Sequence, residues 1–243
     1  MDVAKKLTFG SPAWQGKNQK GRTMSQELWT KVEQYFAPVV QEDEALKAAA
    51  KEGEKAGLPP IAVSPNEGKL LMLMAQMIGA RKILEVGTLA GYSTIWLARG
   101  LSEGGRLITL EYEQKHAEVA RKNIARAGLG EVVDVRVGDA TKTMPELVKE
   151  GAGPFDLIFL DANKDGYPAY FEWSLKLARE GAVIIADNVV RDGGVIDAAS
   201  KDASIQGVRR LNEMVAAEKR VSATAVQTVG SKGYDGFAVV LVS

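Results

Sequence analysis

Acidic residues recur in this chain where apolar runs end, and their neighbours decide what each could do. Asp161 follows Phe155 to Leu160, and Asp187 with Asn188 follows Ala182 to Ala186. Two carboxylates and an amide are hard oxygen donors. Such an incomplete set holds Mg²⁺ while water and a ligand fill the remaining positions. Glu111 follows Arg106 to Leu110, where a doubly wound sheet places a carboxylate to accept two ribose hydroxyls. Asp139, in Gly138-Asp139-Ala140, can accept from the exocyclic amine of adenine, with Ala140 leaving room and a backbone donor. Between Glu85 and Ser93 the chain reads Glu-Val-Gly-Thr-Leu-Ala-Gly-Tyr-Ser, a glycine turn that brings backbone close to a ligand. The dinucleotide fingerprint fails there, since its third position is Leu89 and its sixth Tyr92. A ribose ligand without a pyrophosphate fits both facts. Any one of these acids could instead cap a helix; taken together they describe a site.

The elements that must carry these residues are legible from hydrophobic periodicity. Apolar runs predict strands over Lys82 to Val86, Arg106 to Leu110, Val132 to Val137, Phe155 to Leu160 and Ala182 to Ala186. Several lack polar alternation, as parallel strands covered on both faces do. Crossover helices are predicted over Tyr92 to Leu101, Gln114 to Ala127, Lys142 to Lys149 and Pro168 to Leu177. Three helices precede them, over Gln26 to Phe36, Asp43 to Ala56 and Asn66 to Ile78, and one follows over Ser204 to Lys219. The last two strands, Ser222 to Val229 and Gly236 to Val242, are joined by too few residues for a parallel crossover and must be antiparallel. The fold class is therefore α/β, a doubly wound, mostly parallel seven-stranded sheet ending in an antiparallel hairpin. Residues 24–243 read as one domain, with N-terminal helices over 24–62 and a core over 63–243. Residues 1–23 read as a flexible leader or arm.

Composition narrows the chemistry. With no Cys in 243 residues there is no disulfide, thiolate metal site or cysteine nucleophile, and His116 is the one histidine. His116 falls in Glu113-Gln114-Lys115-His116 and is expected on the surface. Lys and Arg total 31, as do Asp and Glu, but five bases fall within the first 23 residues against Asp2 alone. The remaining 220 residues carry 26 bases and 30 acids. That is not the basic face a nucleic-acid partner requires. No apolar stretch approaches the roughly 20 residues that span a bilayer, so no membrane partner is expected.

With the turn from Gly87 to Gly91, Glu111, Asp139 and the terminal hairpin, the sequence resembles class I S-adenosylmethionine-dependent methyltransferases over about residues 64–242. Leu160-Asp161-Ala162-Asn163-Lys164-Asp165-Gly166-Tyr167, paired with Ala186-Asp187-Asn188-Val189, narrows the resemblance to the metal-dependent catechol and caffeoyl-CoA O-methyltransferases. The blocks Ser64 to Gly68 and Gly207 to Asn212 agree with it. Asn163 replaces the acid common at that place in caffeoyl-CoA-type members, which sets the chain apart from that subgroup and leaves the ligand residues intact.

The resemblance implies Asp161, Asp187 and Asn188 as metal ligands and Lys164 as catalytic base. It implies cofactor contacts from Val63, Glu85, Gly87, Ser93, Glu111, Asp139, Ala140 and Asp161, with Asp161 shared by cofactor, cation and catalysis. The expected reaction is in-line methyl transfer from S-adenosylmethionine to a hydroxyl of a small aromatic vicinal diol: a catechol, a phenylpropanoid such as caffeate or caffeoyl-CoA, or a flavonoid. The expected divalent cation is Mg²⁺, with Mn²⁺ or Ca²⁺ as alternatives. The enzyme is expected to be cytoplasmic and a homodimer. Two other readings stay open at this point: a metal-independent methyltransferase, in which Asp161 and Asp187 only structure the site, and a non-catalytic S-adenosylmethionine-binding module. Tyr167, Tyr170 and Trp173 could wall an aromatic acceptor or pack a helix. The stretch from Val190 to Ser204 is expected to be a mobile loop over the metal.

Overall fold

The computed structural model describes residues 25–243, so the expected leader and Met24 lie outside the described residues. Five strands form the parallel part of the sheet: β1 (Lys82–Val86), β2 (Arg106–Glu111), β3 (Val133–Val137), β4 (Phe155–Leu160) and β5 (Ala178–Ala186). The C-terminal strands β6 (Val221–Gly230) and β7 (Gly233–Val242) pair antiparallel with each other, and β7 pairs antiparallel with β5. The order is β3-β2-β1-β4-β5-β7-β6. The chain order reverses between β1 and β4, the switch point outside whose carboxyl ends open α/β sheets bind ligands.

Helices α1 (Gln26–Tyr35), α2 (Ala37–Val40), α3 (Glu44–Lys55) and α4 (Pro65–Met77) precede the sheet, and α5 (Tyr92–Arg99), α6 (Gln114–Arg126), α7 (Ala140–Lys149), α8 (Tyr167–Leu177) and α9 (Ala203–Ala217) follow in turn. One core, with Leu71, Ile95, Trp96 and Ile124, fills one sheet face, and a second, with Met144, Phe171, Val208 and Leu211, fills the other. Strand interiors such as Leu84, Leu157 and Ile158 are fully buried, which accounts for their unbroken apolar runs.

Local chemistry sets the helix starts. Ser64 and Glu67 form a reciprocal capping box at α4, the Ser64 hydroxyl accepting from the Glu67 amide and the Glu67 carboxylate accepting from the Ser64 amide at 2.8 Å. Asp139 caps α7, so that helix starts at Ala140 rather than at the expected Lys142. Strand β5 starts at Ala178, four residues before the expected Ala182. A register shift against β4 accommodates Arg179-Glu180-Gly181, whose polarity hides the strand from a hydrophobic pattern. The terminal hairpin turns over two residues, not six, because both strands run further than their apolar segments. Among the described residues, no helix is long and apolar enough to cross a membrane.

Candidate active site

The carboxyl ends of β1, β2, β3 and β4 open into a cleft of about 810 Å³. Gly87, Glu111, Asp139 and Ala140 line it beyond the ends of β1, β2 and β3, and Asp161, Lys164 and Asn188 beyond the ends of β4 and β5, with Val63, Ser93, Tyr170 and Arg191 also in its wall. The glycine turn is shaped by a contact that admits no side chain. Gly87 has φ +105°, and a Cβ there would stand 2.3 Å from the carbonyl oxygen of Asp161. The loops after β1 and β4 therefore touch backbone to backbone.

Glu111 fixes that turn from below. Its Oε2 accepts from the amides of Thr88 (3.1 Å) and Leu89 (2.7 Å), and its Oε1 accepts from the Glu113 amide at 3.0 Å. His116 Nδ1 stands 3.3 Å from the same Oε1 and the ring lines the cleft, so His116 is not the surface histidine expected. One turn into α6, its side chain swings back over the end of β2. Asp139 accepts from the amide and hydroxyl of Thr141, which hold its carboxyl below the usual range.

Glu85 departs from its expected place. It is fully buried behind the cleft wall, and its oxygens accept from the hydroxyls of Ser93 (2.6 Å) and Thr94 (2.5 Å). Its side chain has no surface in the cleft, where Ser93 stands in front of it. Burial raises its pKa to about 7, against the lowering effect of these hydroxyls.

Beyond the end of β4, Lys164 donates to Asp161 Oδ1 at 2.8 Å, and its ammonium lies 5.0 Å from the Tyr167 ring centroid. The side chain is 9% exposed. Lys164 sits on a single 3₁₀ turn (Lys164–Gly166) pressed against α9 at Gly207, where a Cβ would stand 2.1 Å from the Lys164 carbonyl oxygen. That packing explains the glycine at the head of the Gly207 to Asn212 block.

Asp187 is buried next to Asn188, whose amide donates to Asp187 Oδ1 at 2.7 Å. Asp187 lies just behind the cleft, on a small adjoining cavity that Glu67 also lines. Burial first, then the charges of Asp161 and Glu67, push its carboxyl well above the ordinary range. Among the described residues no three Asp, Glu or His side chains converge as a ready-made cation site. The set Asp161, Asp187 and Asn188 would leave coordination positions for ligand oxygens. Two carboxylates at low exposure, with the Asn188 side-chain oxygen, suit a divalent cation in charge and donor type.

The aromatic residues divide. The fully buried Tyr167 hydroxyl lies 2.8 Å from the Leu160 carbonyl and 2.7 Å from that of Asp187, tying the ends of β4 and β5. Tyr170 lines the cleft and donates to Asn163 Oδ1 at 2.6 Å. Trp173 packs into the core, with the Lys176 ammonium 3.9 Å from its ring centroid. The start of the stretch from Val190 to Ser204 is tied down: the Val190 and Arg191 amides donate to Asp235 Oδ1, and Arg209 donates to the Val195 carbonyl at 2.6 Å, while Ile196 beyond them is exposed.

A seven-stranded sheet with this strand order and an antiparallel C-terminal pair, bearing its cleft at the β1/β4 switch point, is the architecture of class I methyltransferases. A family profile described as O-methyltransferase matches residues 37–240, and the chain belongs to that family of enzymes. It is 53% identical over 220 residues to a catechol O-methyltransferase of Niastella koreensis, covering 90% of this chain and all of that one. A catechol O-methyltransferase of Mycobacterium tuberculosis is 52% identical over 204 residues, 84% of this chain and 91% of the relative. The crystal structure of an O-methyltransferase from Bacillus cereus in complex with SAH superposes with a TM-score of 0.89 at 55% identity, over 90% of this chain and all of that one.

Proposed function

We propose that this O-methyltransferase moves a methyl group from S-adenosylmethionine to one hydroxyl of a catechol-like aromatic vicinal diol, with a divalent cation, Mg²⁺ first, at Asp161, Asp187 and Asn188. The observation that carries the reading is that Asp161, Lys164 and Asn188, with Asp187 directly behind, share one cleft with Gly87, Glu111, Asp139 and Ala140, the first group beyond β4 and β5 and the second beyond β1, β2 and β3. The bound SAH of the Bacillus cereus structure and the names of the catechol O-methyltransferase relatives support the same assignment.

In this reading the Gly87 turn supplies close backbone to the methyl donor. Glu111 offers the free acceptor capacity of Oε1 to the ribose, in competition with His116. Asp139 and Ala140 border the adenine, Val63 and Ser93 the amino-acid end, and Glu85 holds Ser93 in place. A bound cation supplies positive charge that lowers the pKa of the diol hydroxyls. Lys164, positioned by Asp161, would first release one ammonium proton to solvent and then, as the neutral amine, accept the hydroxyl proton at its Nζ, a contribution of about 10²- to 10⁴-fold for a general base. The rest is alignment of acceptor oxygen, methyl carbon and sulfur by the cleft walls. We further propose that the enzyme works as a homodimer, as the resemblance implies.

The test is methyl transfer to catechol, caffeate, caffeoyl-CoA and a flavonoid diol with Mg²⁺ and with EDTA. Turnover only with metal is expected. Chelator-resistant turnover would transfer the case to a metal-independent methyltransferase, and donor binding without turnover on any acceptor to a binding module.

A further inference from the structure

We propose that Arg191 is a specificity residue that selects acceptors carrying an anionic substituent, such as a ring carboxylate, alongside the diol; this rests on the assignment of the cleft to a diol methyltransferase. Arg191 lines the cleft with Asn188 and Lys164. The two cations there are held differently. The Lys164 ammonium is engaged by Asp161 at 2.8 Å. The Arg191 guanidinium makes no hydrogen bond among the described residues: its Nη1 is 4.0 Å from Asp235 Oδ2, and its Nε is buried with no acceptor. Asp235 Oδ1 is taken by the amides of Val190, Arg191 and Gly236, which leaves Oδ2, at 4.0 Å, as the one carboxylate oxygen in ion-pair range of the guanidinium.

A buried guanidinium donor without a partner carries a desolvation cost that an incoming acceptor relieves. The planar fork of Arg suits a carboxylate, which it meets through two parallel hydrogen bonds, better than a neutral oxygen. The backbone at this position is itself fixed. Arg191 and Asp192 have φ +55° and +53°, a left-handed pair that L-residues seldom adopt, closed by Gly193 and clamped by Asp235. Lys164, the other cation here, is already paired with Asp161, so Arg191 is the cation with donors to spare for an anionic substituent.

The test compares 3,4-dihydroxybenzoate with its methyl ester as acceptors for the native chain, Arg191→Gln and Arg191→Lys, under Mg²⁺ and saturating S-adenosylmethionine. The native chain is expected to prefer the acid in kcat/KM. Arg191→Gln should lower the acid-to-ester ratio at least tenfold, chiefly through KM for the acid, with Arg191→Lys recovering part of it. A ratio unchanged in Arg191→Gln overturns the proposal, as does an equal loss on both acceptors, which marks Arg191 as a structural cation for Asp235. If the native chain methylates neither compound nor any other diol, the functional reading itself falls, a result distinct from turnover without acid preference.

Discussion

Glu85→Gln replaces a carboxyl sealed behind the cleft by a group of the same shape that never ionises. The buried carboxyl is raised from 4.5 to about 7. At about 1.4 kcal/mol per pH unit, that displacement corresponds to about 3 kcal/mol. The sign follows from which state ionises first. Below pH 4.5 Glu85 is protonated in folded and unfolded chains alike and its full contribution is present. As pH rises the unfolded chain ionises alone, so stability falls until the folded carboxyl also ionises near pH 7, beyond which the loss is complete. The amide cannot follow that course, and it still has acceptor and donor for the hydroxyls of Ser93 and Thr94. Urea unfolding at half-unit steps from pH 4.5 to 8 measures both chains. The difference in unfolding free energy should move by about 3 kcal/mol in favour of Glu85→Gln across that window. Asp187, also raised, affects both chains equally and cancels. Parallel pH profiles would refute the reasoning, because they would mean that Glu85 ionises as easily inside the fold as outside it.

Lys164→Ala should lower kcat by about 10²- to 10⁴-fold while calorimetric affinity for S-adenosylmethionine holds; unchanged turnover removes Lys164 from proton transfer. Glu111→Ala should weaken that affinity by about 1–3 kcal/mol, since it loses a charge-assisted contact and releases the amides of Thr88 and Leu89; equal affinity ends its ribose role. Gly87→Ala forces a Cβ onto the Asp161 carbonyl at a positive φ, and should cost about 1–3 kcal/mol in strain alone, read as a lower unfolding midpoint. A native midpoint would show that the two loops can part freely.

The strands and crossover helices were readable because burial on both faces writes itself as unbroken apolar runs, as in Phe155 to Leu160. Asp161, Asn188, Glu111 and Asp139 were readable because a polar residue at the end of such a run has nowhere to go but the sheet's carboxyl edge. What escaped depends on three-dimensional return. His116 looks solvated among Glu113, Gln114 and Lys115, yet its ring turns back to Glu111. Glu85 looks like part of a binding motif, and its position in β1 instead points it behind the wall at two hydroxyls. Glu67 lies inside the Ser64 to Gly68 block, and the Ser-x-x-Glu spacing ahead of an apolar run is the signal for its capping box. Tyr167 carries no local signal, since its partners are the carbonyls of two other elements.

The Tyr167 hydroxyl has one proton and two carbonyls within reach, those of Leu160 and Asp187. It can donate to only one of them at a time, so the bond alternates while the ring stays put. The gap between the ends of β4 and β5 is thereby gauged by a rigid phenol rooted in α8, as well as by the ladder between the strands. For anyone re-engineering this sheet, Tyr167 therefore belongs with the acidic pair, because a change at this phenol acts on the ends of both strands at once.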